Sequence, residues 1–395
     1  MNPNYHKTIR ACFMSYIVQA IVNNFVPLLF LTFEKEYGIS LPRIALLVSV
    51  NFGIQLLVDF LSAGVIDRIG YRISMITALG LCASGLFSLT IFPEVFSDPW
   101  YGFLGAVMIY GAGGGLLEVL VSPLVEACPT ENKEKTMSML HSFYCWGHVG
   151  VVLLSTVFFV LFGLENWRII AAFWTLVPVV NLILFFKVPI APLIKGEEGI
   201  SFRTLIGKKV FWVFMLLMVC AGAGEQAVSQ WASAFAEESL GVKKAIGDLT
   251  GPMFFAGMMG ISRALYGTYG ERLDLKKMMM GSGLLCVASY FLIALSSHPA
   301  LGLLGCGLCG LSVGIMWPGT FSMASAAIRG GGTAMFAFLA LAGDFGCSGG
   351  PALVGRISAF MGNNLKMGIL AAVIFPFIFV LALKMSVGRK THALE

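Results

Sequence analysis

The chain has 395 residues, of which 57% are hydrophobic and only 12% charged, about half the charged share of a soluble protein. Its mean hydropathy is +0.85, and a water-soluble fold of this length has no interior large enough to hide so much apolar surface. The formal net charge of +5 follows the placement of basic loops and implies no nucleic-acid partner.

Apolar segments of about twenty residues or more recur along the chain, separated by short charged or Pro/Gly-rich turns. Twelve are expected, at approximately 9–33, 42–66, 73–93, 99–127, 137–163, 168–187, 209–236, 246–270, 277–296, 300–328, 332–361 and 365–386. In hydrocarbon no water satisfies the backbone, so each segment is expected to be helical and the chain an all-α membrane protein of twelve transmembrane helices. The first segment is too long for a signal h-region and no small-residue cleavage pattern follows it, which predicts a retained helix. With the N-terminus inside, inside loops and tails hold eighteen Lys and Arg, outside loops six, and Arg263 and Arg356 lie within segments. This bias predicts both termini in the cytoplasm and a plasma-membrane location, the inner membrane for a bacterial protein.

Polar side chains interrupt these segments in chain order. Gln19, Asn23 and Asn24 lie in the first, Asn51 and Gln55 in the second, with Asp59, Asp67, Arg68 and Arg72 toward the inside end of the second and third. Amides are donors and acceptors at once, which suits a polyhydroxylated ligand. Segment four carries Glu118, with Ser122 one turn on. In segment five His141, Tyr144, Cys145 and His148 form a stripe at i, i+3, i+4 and i+7, beside Trp146. Segment seven carries Gly222-Ala-Gly224-Glu225-Gln226, then Gln230 and Trp231. Arg263 follows in segment eight, Trp317 in segment ten and Asp344 in segment eleven. The pair Cys306-Gly-Leu-Cys309 lies in a Gly-rich apolar run without histidines nearby, so helix packing is expected there, not redox or metal chemistry.

The stretch 188–208 is the longest without an apolar run, which divides the chain into a six-helix bundle at 1–187, a cytoplasmic linker at 188–208 and a second six-helix bundle at 209–395. The halves echo one another. Gly64-Val-Ile-Asp67-Arg68-Ile-Gly70-Tyr-Arg72 between segments two and three matches Gly267-Thr-Tyr-Gly270-Glu271-Arg272 between eight and nine, and Asn23-Asn24 corresponds to Glu225-Gln226. Duplicated six-helix units with polar groups at matching depths are the layout of a secondary transporter whose site lies between the halves.

The pattern Gly64-x-x-Asp67-Arg68-x-Gly70-x-Arg72 resembles the signature between helices two and three of the major facilitator superfamily. Gly115-Leu-Leu-Glu118-Val-Leu-Val-Ser122-Pro123, Leu140-His-Ser142-Phe143, Gly224-Glu225 with Trp231, and Trp317-Pro318-Gly-Thr320-Phe321-Ser322 resemble the fucose:proton symporter branch. Ser122 and His141 stand where that branch usually has Asn, and its helix-one Asp has no clear equivalent near Asn23, Asn24 and Pro27.

An ionisable group at membrane depth faces a cavity, finds a partner or holds a proton. Glu118, Glu225, His148 and Asp344 are therefore the expected proton-coupling residues, with Asp344 at a depth matching His148. The expected solute contacts are Gln19, Asn23, Asn24, Asn51, Gln55, Glu225, Gln226, Gln230, Trp231 and Trp317. Asp59, Asp67, Arg68, Arg72 and Arg263 are expected to latch the halves, and neither Arg263 nor Arg356 is expected at the centre, which argues against an organic anion. The expected function is proton-coupled symport of a small neutral polar solute, a sugar first, by alternating access. Proton-coupled export of cationic or amphipathic drug-like compounds is the alternative. No nucleophile-and-base motif, phosphate loop or metal-ligand spacing points to an enzyme. No cofactor or metal is expected, and the expected partners are the solute, protons or Na⁺, and the bilayer, with the chain as a monomer.

Overall fold

Segments that must satisfy their own backbone wind into helices, and among its described residues a computed structural model of the chain shows twelve long helices in two six-helix bundles, nine of them long and apolar enough to cross a membrane. It describes residues 5–129, 133–191, 202–269, 274–328 and 332–385, with no strand among them. We number the spanning helices α1 (Tyr5–Tyr37), α2 (Leu41–Ile69), α3 (Tyr71–Ser88), α4 (Pro99–Ala127), α5 (Lys133–Phe162) and α6 (Trp167–Lys187). The second bundle contains α7 (Lys209–Ser239), α8 (244–269), α9 (Leu275–Leu295), α10 (Pro299–Ala327), α11 (Gly332–Phe360) and α12 (Leu365–Met385). Residues 192–201 of the linker expected at 188–208 lie outside the described residues. A short helix, Phe202–Gly207, leads into α7.

Several of these helices are broken where the segments read as continuous. In α1 a 3₁₀ turn at Val26–Leu29 follows Asn24, because Pro27 has no N–H to give the carbonyl four residues before it, that of Asn23. In α10 the helix pauses at Gly314 and Ile315, four and three residues before Pro318. In α7 it pauses at Gln230 and Trp231. These breaks leave carbonyls and amides at membrane depth, where they are tolerated if they line a cavity or meet protein.

Lipid tails are as apolar as leucine, so the bundles are held by close packing of small residues. Along the α7–α11 seam a Cβ at Gly346 would lie 2.1 Å from the Val219 carbonyl oxygen, and one at Gly350 2.6 Å from that of Ala223. Gly346→Ala is therefore expected to lower stability by about 1–3 kcal/mol, since backbone on the facing helix must move. Thermal unfolding in detergent would read this, and an unchanged midpoint would show that the seam is looser than described.

The two bundles meet along α2–α11 and α5–α8. Ser49 and Ser348 exchange hydrogen bonds, each hydroxyl donating to the other's carbonyl at 3.2 and 2.9 Å. Toward the end opposite the termini the ties multiply. Lys35 pairs with Glu237 at 2.9 Å, and Lys244 Nζ donates to the Leu28 carbonyl at 2.6 Å while pairing with Asp248 at 3.1 Å. Asp248, fully buried, also accepts from Ser233 and, across the halves, from Thr156 at 3.2 Å.

On that same face, Arg168 holds Glu36 at 2.9 Å and Glu94 at 2.6 Å, and Tyr37 donates to Glu94 at 2.8 Å. The Tyr37 hydroxyl and the Arg168 guanidinium keep the Glu94 carboxyl below its ordinary range. All nine cysteines are buried and unpaired, including Cys306 and Cys309.

Candidate functional site

Amides that sequence placed on separate helices converge where α1, α2 and α4 meet. Gln19 Nε2 donates to Gln55 Oε1 at 2.8 Å, and Gln55 Nε2 and Asn51 Nδ2 both donate to Asn23 Oδ1 at 2.9 Å. All four are at least nine-tenths buried, and Gln19 Oε1 and Asn51 Oδ1 have no hydrogen-bond partner. A polar oxygen buried without a partner costs about 1–3 kcal/mol, so these two acceptors are available to a bound solute or water.

The network crosses to the second bundle through a carbonyl that the break in α1 exposes. Freed by Pro27, the Asn23 carbonyl accepts from Gln230 Nε2 at 3.1 Å. Gln230 Nε2 also donates to Gln226 Oε1 at 2.8 Å, and Gln226 Nε2 donates to Glu225 Oε1 at 3.1 Å. Glu225 Oε2 stands 3.6 Å from Arg263 of α8. Arg263 in turn donates to the Gly314 carbonyl, freed by Pro318, and to Cys145 Sγ of α5, both at 3.4 Å. Arg263 thus lies at the centre, against the expectation from sequence, and with Glu225 forms a pair of zero net charge.

Tyr16 and Tyr144 extend the same site. Tyr144 accepts from Asn24 Nδ2 at 3.2 Å, while Tyr16 bonds Ser122 at 3.2 Å and meets His141 edge to face. Sequence reasoning missed Tyr16, although Tyr16, Gln19 and Asn23 repeat at i, i+3 and i+7 on one face of α1.

A second cluster adjoins the amides one helical turn nearer the termini. Glycines set it up: a Cβ at Gly115 would lie 2.8 Å from Gln55 Cα, so α4 presses on α2 and brings Glu118 level with Asp59. Asp344 of α11 completes the group, and one carboxyl oxygen from each of Asp59, Glu118 and Asp344 lies within 4.8 Å of the others. Two full charges at that separation repel by about 3.5 kcal/mol at an effective dielectric of 20, so three ionised carboxylates require a compensating cation or proton. The structure therefore places the Asp344 carboxyl among carboxyls.

The other expected residues sit apart from these networks. Trp231 is fully buried, donates to the Pro351 carbonyl at 3.1 Å and meets Phe30 at 5.1 Å. Trp317 is half-buried against Gly343, the neighbour of Asp344. His148 is buried on α5, next to Gly147, which packs on Ala20 of α1. Arg72 donates to the Phe185, Phe186 and Val188 carbonyls at 2.6, 3.1 and 2.8 Å, closing the end of α6 within its own bundle. Arg356 is exposed near the C-terminal end of α11. The side chains of Asp67 and Arg68 lie outside the described residues.

Access differs along the site. Glu118 and Arg263 are half-buried and His141 is exposed, although each has its contacts inside the protein. Farther from the termini, Asn51 and Gln230 are 4% and 1% exposed. The site opens toward the face that carries the termini.

No curated protein matches the sequence. Among solved structures, the D-xylose-proton symporter is 15% identical with a TM-score of 0.78, covering 98% of each chain. The E. coli fucose:proton symporter FucP is 16% identical with a TM-score of 0.64, covering 96% of this chain and 98% of its own. A bacterial homologue of the human lysosomal transporter Spinster, in an inward-facing and occupied conformation, is 14% identical with a TM-score of 0.78, covering 98% and 97%. At these identities the likeness is one of fold. The sequence profile of the Major Facilitator Superfamily matches residues 11–351, nearly the whole chain, and the protein belongs to that superfamily of membrane transporters.

Proposed function

We propose that the chain moves a small neutral polar solute, a sugar first, by proton-coupled symport with alternating access. The observation that carries this reading is the unbroken polar chain from Gln19 through Asn23, Gln230, Gln226 and Glu225 to Arg263, which crosses from one bundle to the other. Side-chain amides with spare acceptors suit hydroxyl groups, and the neutral Glu225–Arg263 pair holds no excess charge to select an ion. Sugar symport by the xylose and fucose relatives of like fold supports the same class of solute.

The roles divide by position. Gln19, Asn51, Gln226, Gln230 and Glu225 bind the solute. Glu118 and Asp344 carry the coupling proton, since a proton removes the mutual repulsion of the carboxyl cluster. We read the ties at the end opposite the termini and the access from the terminal face as an inward-open state, a reading supported by the positive-inside bias that predicts cytoplasmic termini.

Uptake of radiolabelled sugars into proteoliposomes, with and without an inward proton gradient, tests the reading. One sugar is expected to accumulate only under the gradient. Glu118→Gln is expected to abolish accumulation, by tenfold or more, while sugar exchange at equal concentrations survives. Failure of every sugar to accumulate would overturn the proposal.

A further inference from the structure

The unpartnered oxygen of Asn51 belongs to the wall of a cavity. This cavity, of about 10 Å³, lies between α1, α2, α4 and α7 and is lined by Asn23, Asn51 and Gln230 together with Val22, Val48 and Tyr110. The geometry points to a size-limited subsite here, one that takes a single bare hydroxyl of the solute and rejects the same position carrying a methyl or a larger group. This assignment rests on the reading of the chain as a transporter of a neutral polyhydroxylated solute, and it names the part of that solute that is selected by size.

Volume sets the limit. About 10–15 Å³ is the least room that holds one water-sized group, so the cavity admits one oxygen and no added carbon. Its apolar walls are packed: Val22, Val48 and Tyr110 are 2%, 4% and 2% exposed. Forcing an extra methyl between such walls drives side chains from their preferred rotamers.

The free atom sets the chemistry. Asn51 is 4% exposed, its Nδ2 is spent on Asn23 Oδ1 at 2.9 Å, and its Oδ1 has no hydrogen-bond donor. Gly111 of α4 leaves that oxygen uncovered, since a Cβ there would lie 3.1 Å from it. Gln230 Nε2 is also spent, on the Asn23 carbonyl and on Gln226 Oε1. What the cavity offers is therefore an acceptor, which a hydroxyl satisfies and an ether or ring oxygen does not. An ammonium group would donate as well, but no residue of the lining is charged, so a cation would be buried there without a counter-charge. Asn51 and Val48 come from the first bundle and Gln230 from the second, so the subsite is complete only while the two bundles meet at this point.

The test is uptake into proteoliposomes of D-xylose, L-fucose and D-glucose, a pentose, a deoxyhexose and a hexose, each with its mono-O-methyl and monodeoxy derivatives as competitors. For the sugar that accumulates, deleting one hydroxyl is expected to weaken competition by about tenfold, because Asn51 Oδ1 then stays unpaired. O-methylation at that same position is expected to weaken it at least about tenfold further, because the methyl has no room. Val48→Ala and Val22→Ala, which cut back the wall on two different helices, are each expected to recover the O-methyl derivative at least about fivefold relative to the parent sugar and to leave the cost of deletion in place. Elution from a sizing column checks that each variant is folded. A methyl penalty that neither folded variant relieves overturns the subsite. If a sugar accumulates and all its O-methyl derivatives compete as well as the parent, the subsite alone falls. If no sugar accumulates, the sugar reading falls and the subsite with it.

Discussion

Arg263→Met is expected to cost about 3–5 kcal/mol, because it leaves the Glu225 carboxylate buried without its counter-charge. The two side chains are 16% and 9% exposed, so solvent screens the pair little. Glu225→Gln alone should cost less, since an amide can keep the bond from Gln226 while Arg263 retains the Gly314 carbonyl. The double substitution should recover most of the loss, because neither charge is then stranded. Unfolding in detergent of the wild type, both single variants and the double variant gives the coupling energy. Additivity to within about 0.5 kcal/mol would mean that the two groups do not act as a pair.

Asp248→Ala is expected to open the end of the protein opposite the termini. Asp248 gathers Ser233, Lys244 and, from the other bundle, Thr156, while Lys244 reaches across to the Leu28 carbonyl. Hydrogen bonds to charged groups contribute about 1.5–3 kcal/mol each, so loss of this hub should shift the balance of open and closed states ten- to hundredfold. Leu31, 8% exposed at this end, reports the change. A Leu31→Cys background should react with a membrane-impermeant maleimide at least tenfold faster once Asp248→Ala is added. Thr156→Val, which removes a single cross-bundle bond, should give an intermediate rate. Equal labelling in all three would show that this end is held by packing alone.

Much of the fold was legible because membrane helices are written locally. Twelve apolar runs, each obliged to close its own hydrogen bonds, matched twelve helices, whereas the break after Asn24 was not read from Pro27 and appeared only in the structure. The depth of Glu225 and Gln226 could also be read, together with the amide face of α7. Glu225 answers to Arg263, however, and these are 38 positions apart on different helices. Sequence set Arg263 aside as a latch residue, and nothing in the spacing of either helix shows their meeting. Asp59, Glu118 and Asp344 were read singly, one as a latch and two as proton carriers. Their convergence depends on Gly115 against Gln55 and on the α2–α11 seam.

By itself, then, the sequence determined a polytopic helical protein in two related halves, with polar groups at membrane depth. Hydropathy acts within a few residues, so it can be read along the chain. Only the tertiary structure decided which of those groups meet: the amide network closing on Asn23, the Glu225–Arg263 pair, the three-carboxyl cluster and the lock around Asp248. Side-chain encounters across helices depend on where small residues let backbones approach, and that distance is a property of two surfaces, written in neither helix alone.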